Sequence, residues 1–379
     1  MPLLWLCGPS GVGKSSVGWE VFAQLSRRGV TTAFLDSDQI SLCSPTPEGG
    51  THRVRARSLA AIWPNLRAAG AQCVVMSGWV DTSEEVHEYT SLLADAAFTV
   101  CRLRVGRAEL EARFVGRQWR LDLAEETLLK AEALDRRDFA DLVIDTDGLD
   151  VAHVAQLVCE SVPWPGSVSP ARRGLPVVPP APAAGRERLP VLWFSGPPGV
   201  GKSTVGWLAY TEAQRAGVPA AYIDVKDVGA LRPATGDDPG GHHLKASNVA
   251  VLWARFRQAG AGCLVVSGDA DHDDTVRGYA RLLPASSLTV CRLVAEATTL
   301  AERIQRRRQG GGPRLPGDEL LGLDAAALRH AAEESARVAQ SLERAGAGDL
   351  RVVTDGLSPQ EVVREVQTLV TAWPGRPAR

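Results

Sequence analysis

One line of this chain occurs twice. "LLWLCGPSGVGKSSVGW" spans residues 3–19, and "VLWFSGPPGVGKSTVGW" returns at residues 191–207. Self-similarity held over a long offset is the mark of a duplicated structural unit, so this pair constrains the fold before any single motif does. The likeness continues in the same order: "RRGVTTAFLDSD" is answered by "RAGVPAAYIDVK", "LRAAGAQCVVMSG" by "FRQAGAGCLVVSG", and "FTVCRL" by "LTVCRL". The offset is 188 from Asp36 to Asp224, 190 from Cys73 to Cys263, and 208 from Thr146 to Thr354. The second copy therefore gains about eighteen residues between Arg307 and Asp349. The expected organisation is one unit over residues 1–166, a second over 190–379, and a proline-rich, semi-rigid linker over 167–189.

Within each copy, strand-like and helix-like patterns alternate. Residues 3 to 7 form a short apolar run broken at Gly8, as a buried parallel strand is. A helix is expected from about Lys14 to Arg28, stopped by Gly29. "TTAFLD", "CVVMSG", "AFTVCRL" and "DLVIDT" read as further strands, with helices over Ser58 to Ala69 and Ser83 to Asp95 between them. Such alternation implies right-handed parallel crossovers: an α/β unit with a parallel sheet of about five strands and helices on both faces.

Composition narrows the function classes. The chain has 42 basic and 44 acidic residues, interspersed, for a net charge of -2, so no basic surface for nucleic acid or an acidic membrane is expected. No apolar run approaches the roughly 20 residues of a membrane span, and no signal-type start is visible, so a cytoplasmic location is expected. Seven cysteines lack C-x-x-C spacing, and Cys73, Cys101, Cys263 and Cys291 lie in apolar runs, as reduced core residues do.

The glycine loops carry the chemistry. "GPSGVGKS" and "GPPGVGKS" satisfy G-x-x-x-x-G-K-[ST] after a strand and before a helix. Glycines there let successive N–H groups face one anion, and the helix N-terminus adds its partial positive charge. The expected phosphate cradle is Gly8, Gly11, Gly13, Lys14, Ser15 and Ser16, with Gly196, Gly199, Gly201, Lys202, Ser203 and Thr204 in the second copy. Lys14 and Lys202 would reach the outer phosphates of ATP, and Ser15 and Ser203 would sit on Mg²⁺. Gly18 and Gly206 read as close-packing positions.

Asp36 and Asp224 end the second strand beside the loop, where ligands collect in open α/β sheets, and are candidates for the metal's water shell. Asp38 follows two residues later and is placed to take an acceptor's proton; helix capping is the alternative for both first-copy acids. The second copy has Lys226 at that position and Asp227 one residue on.

These residues resemble the small-molecule kinases of the nucleoside-monophosphate-kinase-like group, which includes shikimate, gluconate and adenylylsulfate kinases. The resemblance implies two tandem P-loop NTPase domains. It implies acceptor contacts from Asp36 and Asp38, Arg53 and Arg57, Ser77 and Gly78, with Asp224, His243 and Lys245, Ser267 and Gly268 in the second copy. It also implies lid arginines at Arg113 and Arg117, answered by Arg303 and Arg307. Residues four apart share a helix face, so two guanidinium groups can close on a triphosphate, although exposed arginines at that spacing are also ordinary. "TDGL" at Thr146 and Thr354 lies where the group places adenine, and a plain turn fits it equally well. Trp79 after Gly78 departs from the shikimate kinases. Trp63, Trp253, Trp19 and Trp207 recur at helical positions and read as core, and His52, His242 and His243 as loop residues or phosphate or acceptor contacts.

The expectation is an ATP-dependent kinase for a small-molecule acceptor, the first copy being better equipped. The competing expectation is a nucleotide-dependent regulatory or interaction protein with one or both copies silent toward acceptors.

Overall fold

The computed structural model describes residues 1–46, 49–115, 124–166, 188–234, 238–269, 273–283, 285–308, 323–370 and 373. The expected linker falls almost wholly outside these residues.

In the first half the elements are β1 (Pro2–Cys7), α1 (Lys14–Arg27), β2 (Thr32–Asp36), β3 (Cys43–Ser44), α2 (Gly50–Ala68), β4 (Cys73–Ser77), α3 (Ser83–Thr90), β5 (Ala97–Arg104), α4 (Arg107–Val115), α5 (Ala124–Leu134), β6 (Leu142–Asp145) and α6 (Val151–Ser161). The second half repeats them as β7 (Leu189–Ser195), α7 (Lys202–Arg215), β8 (Ala220–Asp224), β9 (Ala230–Arg232), α8 (His242–Gln258), β10 (Cys263–Ser267), α9 (Asp273–Leu282), β11 (Ser286–Val294), α10 (Ala297–Arg308), α11 (Ala325–Ala345), β12 (Leu350–Val353) and α12 (Pro359–Leu369). The expected helix at Ser58 instead begins at Gly50, where Gly49 holds a left-handed turn. The helix at Ser83 ends at Thr90, five residues early. The extra length of the second half includes α11, 21 residues against 11 in α5.

Each half supplies five parallel strands. The first sheet runs β6-β5-β1-β4-β2-β9 and the second β12-β11-β7-β10-β8-β3, an identical order once equivalent strands are matched. The expected parallel sheet of about five strands is thus a mixed sheet of six, and the sixth strand comes from the other half. β9 pairs antiparallel with β2, Ala33 opposite Leu231, while β3 pairs antiparallel with β8, Cys43 opposite Ala221. Each exchanged strand covers the edge of a sheet whose backbone would otherwise offer unpaired N–H and C=O groups.

The interiors follow the same interlocking. One apolar cluster lies on the α1 and α6 side of the first sheet, built around Leu4, Phe22, Val75 and Val158, and its counterpart gathers Leu192, Tyr210, Val265 and Val366. A third cluster joins the halves: Trp5, Leu59 and Met76 share it with Trp193, Val249 and Val266, and α2 packs on α8. In its centre Asn65 Nδ2 donates to Asn248 Oδ1 at 3.0 Å, and Asn248 Nδ2 donates to the Val228 carbonyl at 2.6 Å. All seven cysteines are free and buried. No described helix is long and apolar enough to cross a membrane.

Candidate functional site

Both glycine loops sit where β1 and β7, interior strands of their sheets, give way to helices. Gly8 takes φ +136° and Gly196 φ +137°, and a Cβ at either would lie 2.5 Å from the carbonyl oxygen of Leu103 or Leu293. The backbone conformation and the close approach to the neighbouring strand both demand glycine. α1 and α7 then start after left-handed Gly13 and Gly201 with no acidic residue in the first turn, leaving the helix dipole uncompensated for an anion. Gly11 and Gly199 complete the loops at positive φ, and Ser16 and Thr204 are exposed on the first helical turn. Lys14 Nζ donates to the carbonyls of Gly8 and Pro9, both at 2.9 Å; Lys202 does the same to Gly196 and Pro197 at 2.7 and 3.2 Å. Gly18 and Gly206 are tight against Phe34 and Ser267, so their role is packing.

In the first half, three side chains meet beside the loop. Ser15 Oγ and Ser77 Oγ each donate to Asp36 Oδ2 at 3.1 Å, and the two hydroxyls are 3.3 Å apart. They come from α1, β4 and β2, and the register Asp36 opposite Ser77 is set by the parallel β2–β4 ladder. Burial, with Asp38 close by, pushes the Asp36 carboxyl above its ordinary range. A half-buried carboxylate flanked by hydroxyls is a hard-oxygen donor set of the kind Mg²⁺ takes in combination with phosphate and water. Asp224 and Ser203 reproduce the pair at 2.6 Å, with Tyr222 and Lys226 added around Asp224. Among the described residues no group of three His, Cys, Asp or Glu side chains converges as a closed metal site.

Asp38 is exposed one turn beyond Asp36 and is held by Arg55, whose guanidinium also donates to Ser41 Oγ. The expected Arg53 and Arg57 are exposed, Arg53 lying 4.0 Å from Glu88. Three arginines alternate through 53–57, and only the actual start of α2 at Gly50 decides that the middle one faces the acid. His52 is half-buried between Tyr89 and Glu85, at 3.3 and 3.2 Å, and burial lowers its pKa. His242 repeats the contact with Tyr279 at 3.3 Å, while His243 is exposed beside Asp238.

The second half has a carboxylate that sequence reasoning missed. Asp269 Oδ1 lies 2.9 Å from Lys202 Nζ. It follows the shared Ser-Gly at the end of β10, where the first copy has Trp79, and aligning the copies one residue further would have exposed it. Ser267 Oγ donates to the Lys202 carbonyl, at 3.1 Å, rather than to Asp224 as Ser77 does to Asp36. Asp227 is raised well above the carboxylate range by burial, then by Asp224, with a contribution from Asp36 of the other half.

Of the expected lid arginines, Arg113 and Arg303 brace the loops. Arg113 donates to the carbonyls of Val12 and Thr146 at 3.1 and 2.8 Å, and to the Thr146 hydroxyl. Arg303 repeats all three contacts, to Val200 and Thr354. The spacing of "TDGL" from the loop is therefore used to tie the last strand to the cradle. Arg307 is partly buried near the end of α10, and Arg117 lies outside the described residues. Trp63 and Trp253 are core residues with their indole N–H groups bonded to Asp95 and Ser286, and Trp207 is 45% exposed.

No protein-family model matches this chain, and no curated protein matches it. Solved structures similar to it include the tunicamycin resistance protein of Deinococcus radiodurans, 18% identical over 49% of this chain and 98% of that one, TM-score 0.34. A gluconokinase from Sinorhizobium meliloti is 20% identical over 48% and 90%, TM-score 0.32. The APS kinase of Mycobacterium tuberculosis, in complex with AMPPNP and APS, is 20% identical over 42% and 95%, TM-score 0.32. Each aligns with about half of this chain, so the functional conclusion rests on the geometry of the two loops.

Proposed function

We propose that the chain is a tandem duplication of a nucleotide-binding unit, residues 1–166 and 190–379, acting as an ATP-dependent kinase on a small-molecule acceptor. The observation that carries this is the convergence of Ser15, Ser77 and Asp36 at the mouth of a glycine loop, with Asp38 and Arg55 next to it. Backbone N–H groups at the start of α1 bind the phosphates, and Lys14, curled over the loop carbonyls, turns to the outermost one. Ser15 and Asp36 would hold Mg²⁺, which when bound offsets charge on the phosphates. Asp38 takes the proton of the acceptor hydroxyl as its oxygen attacks the γ-phosphorus; the bond to the β-phosphate bridging oxygen breaks and ADP leaves. Arg55 holds the Asp38 carboxylate in place. The first half is assigned the transfer because Lys226 replaces Asp38 in the second.

ADP release is measured with a panel of small hydroxylated metabolites for the parent, Lys14→Ala and Lys202→Ala chains. Acceptor-dependent turnover abolished by Lys14→Ala and retained in Lys202→Ala supports the assignment. Slow turnover indifferent to every acceptor favours the second reading, a regulatory nucleotide-binding protein, for which the engaged Lys202 and the Lys226 substitution in the second half speak.

A further inference from the structure

An ammonium group carries three N–H donors. At Lys202 each has an acceptor: the Gly196 carbonyl at 2.7 Å, the Pro197 carbonyl at 3.2 Å and Asp269 Oδ1 at 2.9 Å. The two carbonyl bonds hold the lysine to its loop and have counterparts at Lys14. The first half has no carboxylate at the position matching Asp269, which is Trp79. Lys202 is 13% exposed and Asp269 53% exposed, so the acid is the more solvent-accessible member of the pair.

The backbone that presents Asp269 is held in place. β10 lies between β7 and β8, the strands leading to the glycine loop and to Asp224. Gly268 takes φ +155°, and its carbonyl accepts a 3.1 Å bond from Trp193 Nε1. In the first half Gly78 is not at positive φ, and the equivalent Trp5 Nε1 is buried without a partner. The two halves thus hold the same Ser-Gly turn in different conformations, and the one with its indole bond made is the one that aims an acid at the lysine. Burial works against its charge, but the Lys202 ammonium above all, with Lys245 and His242 from the start of α8, holds the Asp269 carboxyl below its ordinary range.

We infer that Asp269 is an internal anion standing in for phosphate at Lys202, a latch that an incoming polyphosphate must displace before the second loop can bind a nucleotide. The inference rests on the reading of both loops as nucleotide sites. A carboxylate and a phosphate oxygen are alternative acceptors for the same proton, and two anions at one ammonium repel, so binding requires Asp269 to turn aside. A triphosphate, with more N–H groups and the helix dipole to engage, displaces it better than a monophosphate does.

The test uses the full chain carrying Lys14→Ala, so that the second loop reports alone, and titration calorimetry with two probes: Mg·ATP, and inorganic tripolyphosphate in EDTA. Adding Asp269→Asn or Asp269→Ala is expected to tighten both probes about twofold to fivefold, the scale of one partly exposed ion pair. Unchanged affinity overturns the latch. Weaker Mg·ATP binding with tripolyphosphate unaffected also overturns it, because Asp269 then serves a metal. Circular dichroism and a melting curve establish that each variant is folded. Absence of binding at either loop in the parent chain is a different failure: it removes the nucleotide reading itself, and the latch with it.

Discussion

Replacing Asn248 by alanine tests whether the halves are joined as strongly as the core indicates. Asn65 and Asn248 are both fully buried. Loss of the Asn248 side chain strands the Asn65 amide N–H, which now donates a 3.0 Å bond, and the Val228 carbonyl, which now accepts one of 2.6 Å. Each buried orphan costs about 1–3 kcal/mol, so Asn248→Ala should lose about 2–5 kcal/mol. In Asn65→Leu with Asn248→Leu, one orphan, the Val228 carbonyl, remains while apolar volume is kept, so the double variant should lose about 1–3 kcal/mol. The single truncation would then cost about 1 kcal/mol or more beyond the double replacement. Urea unfolding followed by circular dichroism and tryptophan fluorescence measures both variants against the parent; coincident transitions support unfolding as one unit. A loss below about 1 kcal/mol for Asn248→Ala, or a double variant that loses more than the single, would refute the reasoning.

Gly8→Ala places a Cβ 2.5 Å from the Leu103 carbonyl at φ +136°, and should cost about 2–4 kcal/mol and abolish Mg·ATP binding at the first loop; parental affinity by calorimetry would contradict it. Burial and Asp38 raise the Asp36 pKa, so the folded chain holds that proton more tightly than the unfolded chain does. Stability is therefore lost as pH rises from the ordinary carboxylate range through the folded value, and Asp36→Asn should melt higher relative to the parent at pH 7.5 than at pH 4. The same variant should bind Mg·ATP more weakly. Burial pushes Cys7 and Cys101 to about 12 and Cys43 and Cys73 to about 11. A thiol-disulfide reagent at pH 8 should label none of the seven in the folded chain and all of them in guanidinium.

Much of the local structure was legible because it depends on short-range rules. Glycine at positions 8 and 13, and at 196 and 201, dictates a tight turn and a helix start whatever surrounds it. The apolar runs at β1, β2, β4 and β5 declare buried parallel strands, and Asp36 at the end of β2 declares itself by place. The start of α2 was not legible, since Gly49 and Gly50 carry no conventional cap, and with it went the choice of Arg55 over its neighbours.

The repeated line by itself determined two glycine cradles, each between an apolar strand and a helix, because backbone conformation and hydrophobic period are properties of neighbouring residues. Only the tertiary structure decided that β3 and β9 trade sheets, that α2 and α8 share one core, and that Asp269 reaches Lys202. Those contacts join residues tens to nearly two hundred positions apart. They depend on which sheet edges and helix faces are left uncovered once each half has formed, a condition that no local pattern encodes.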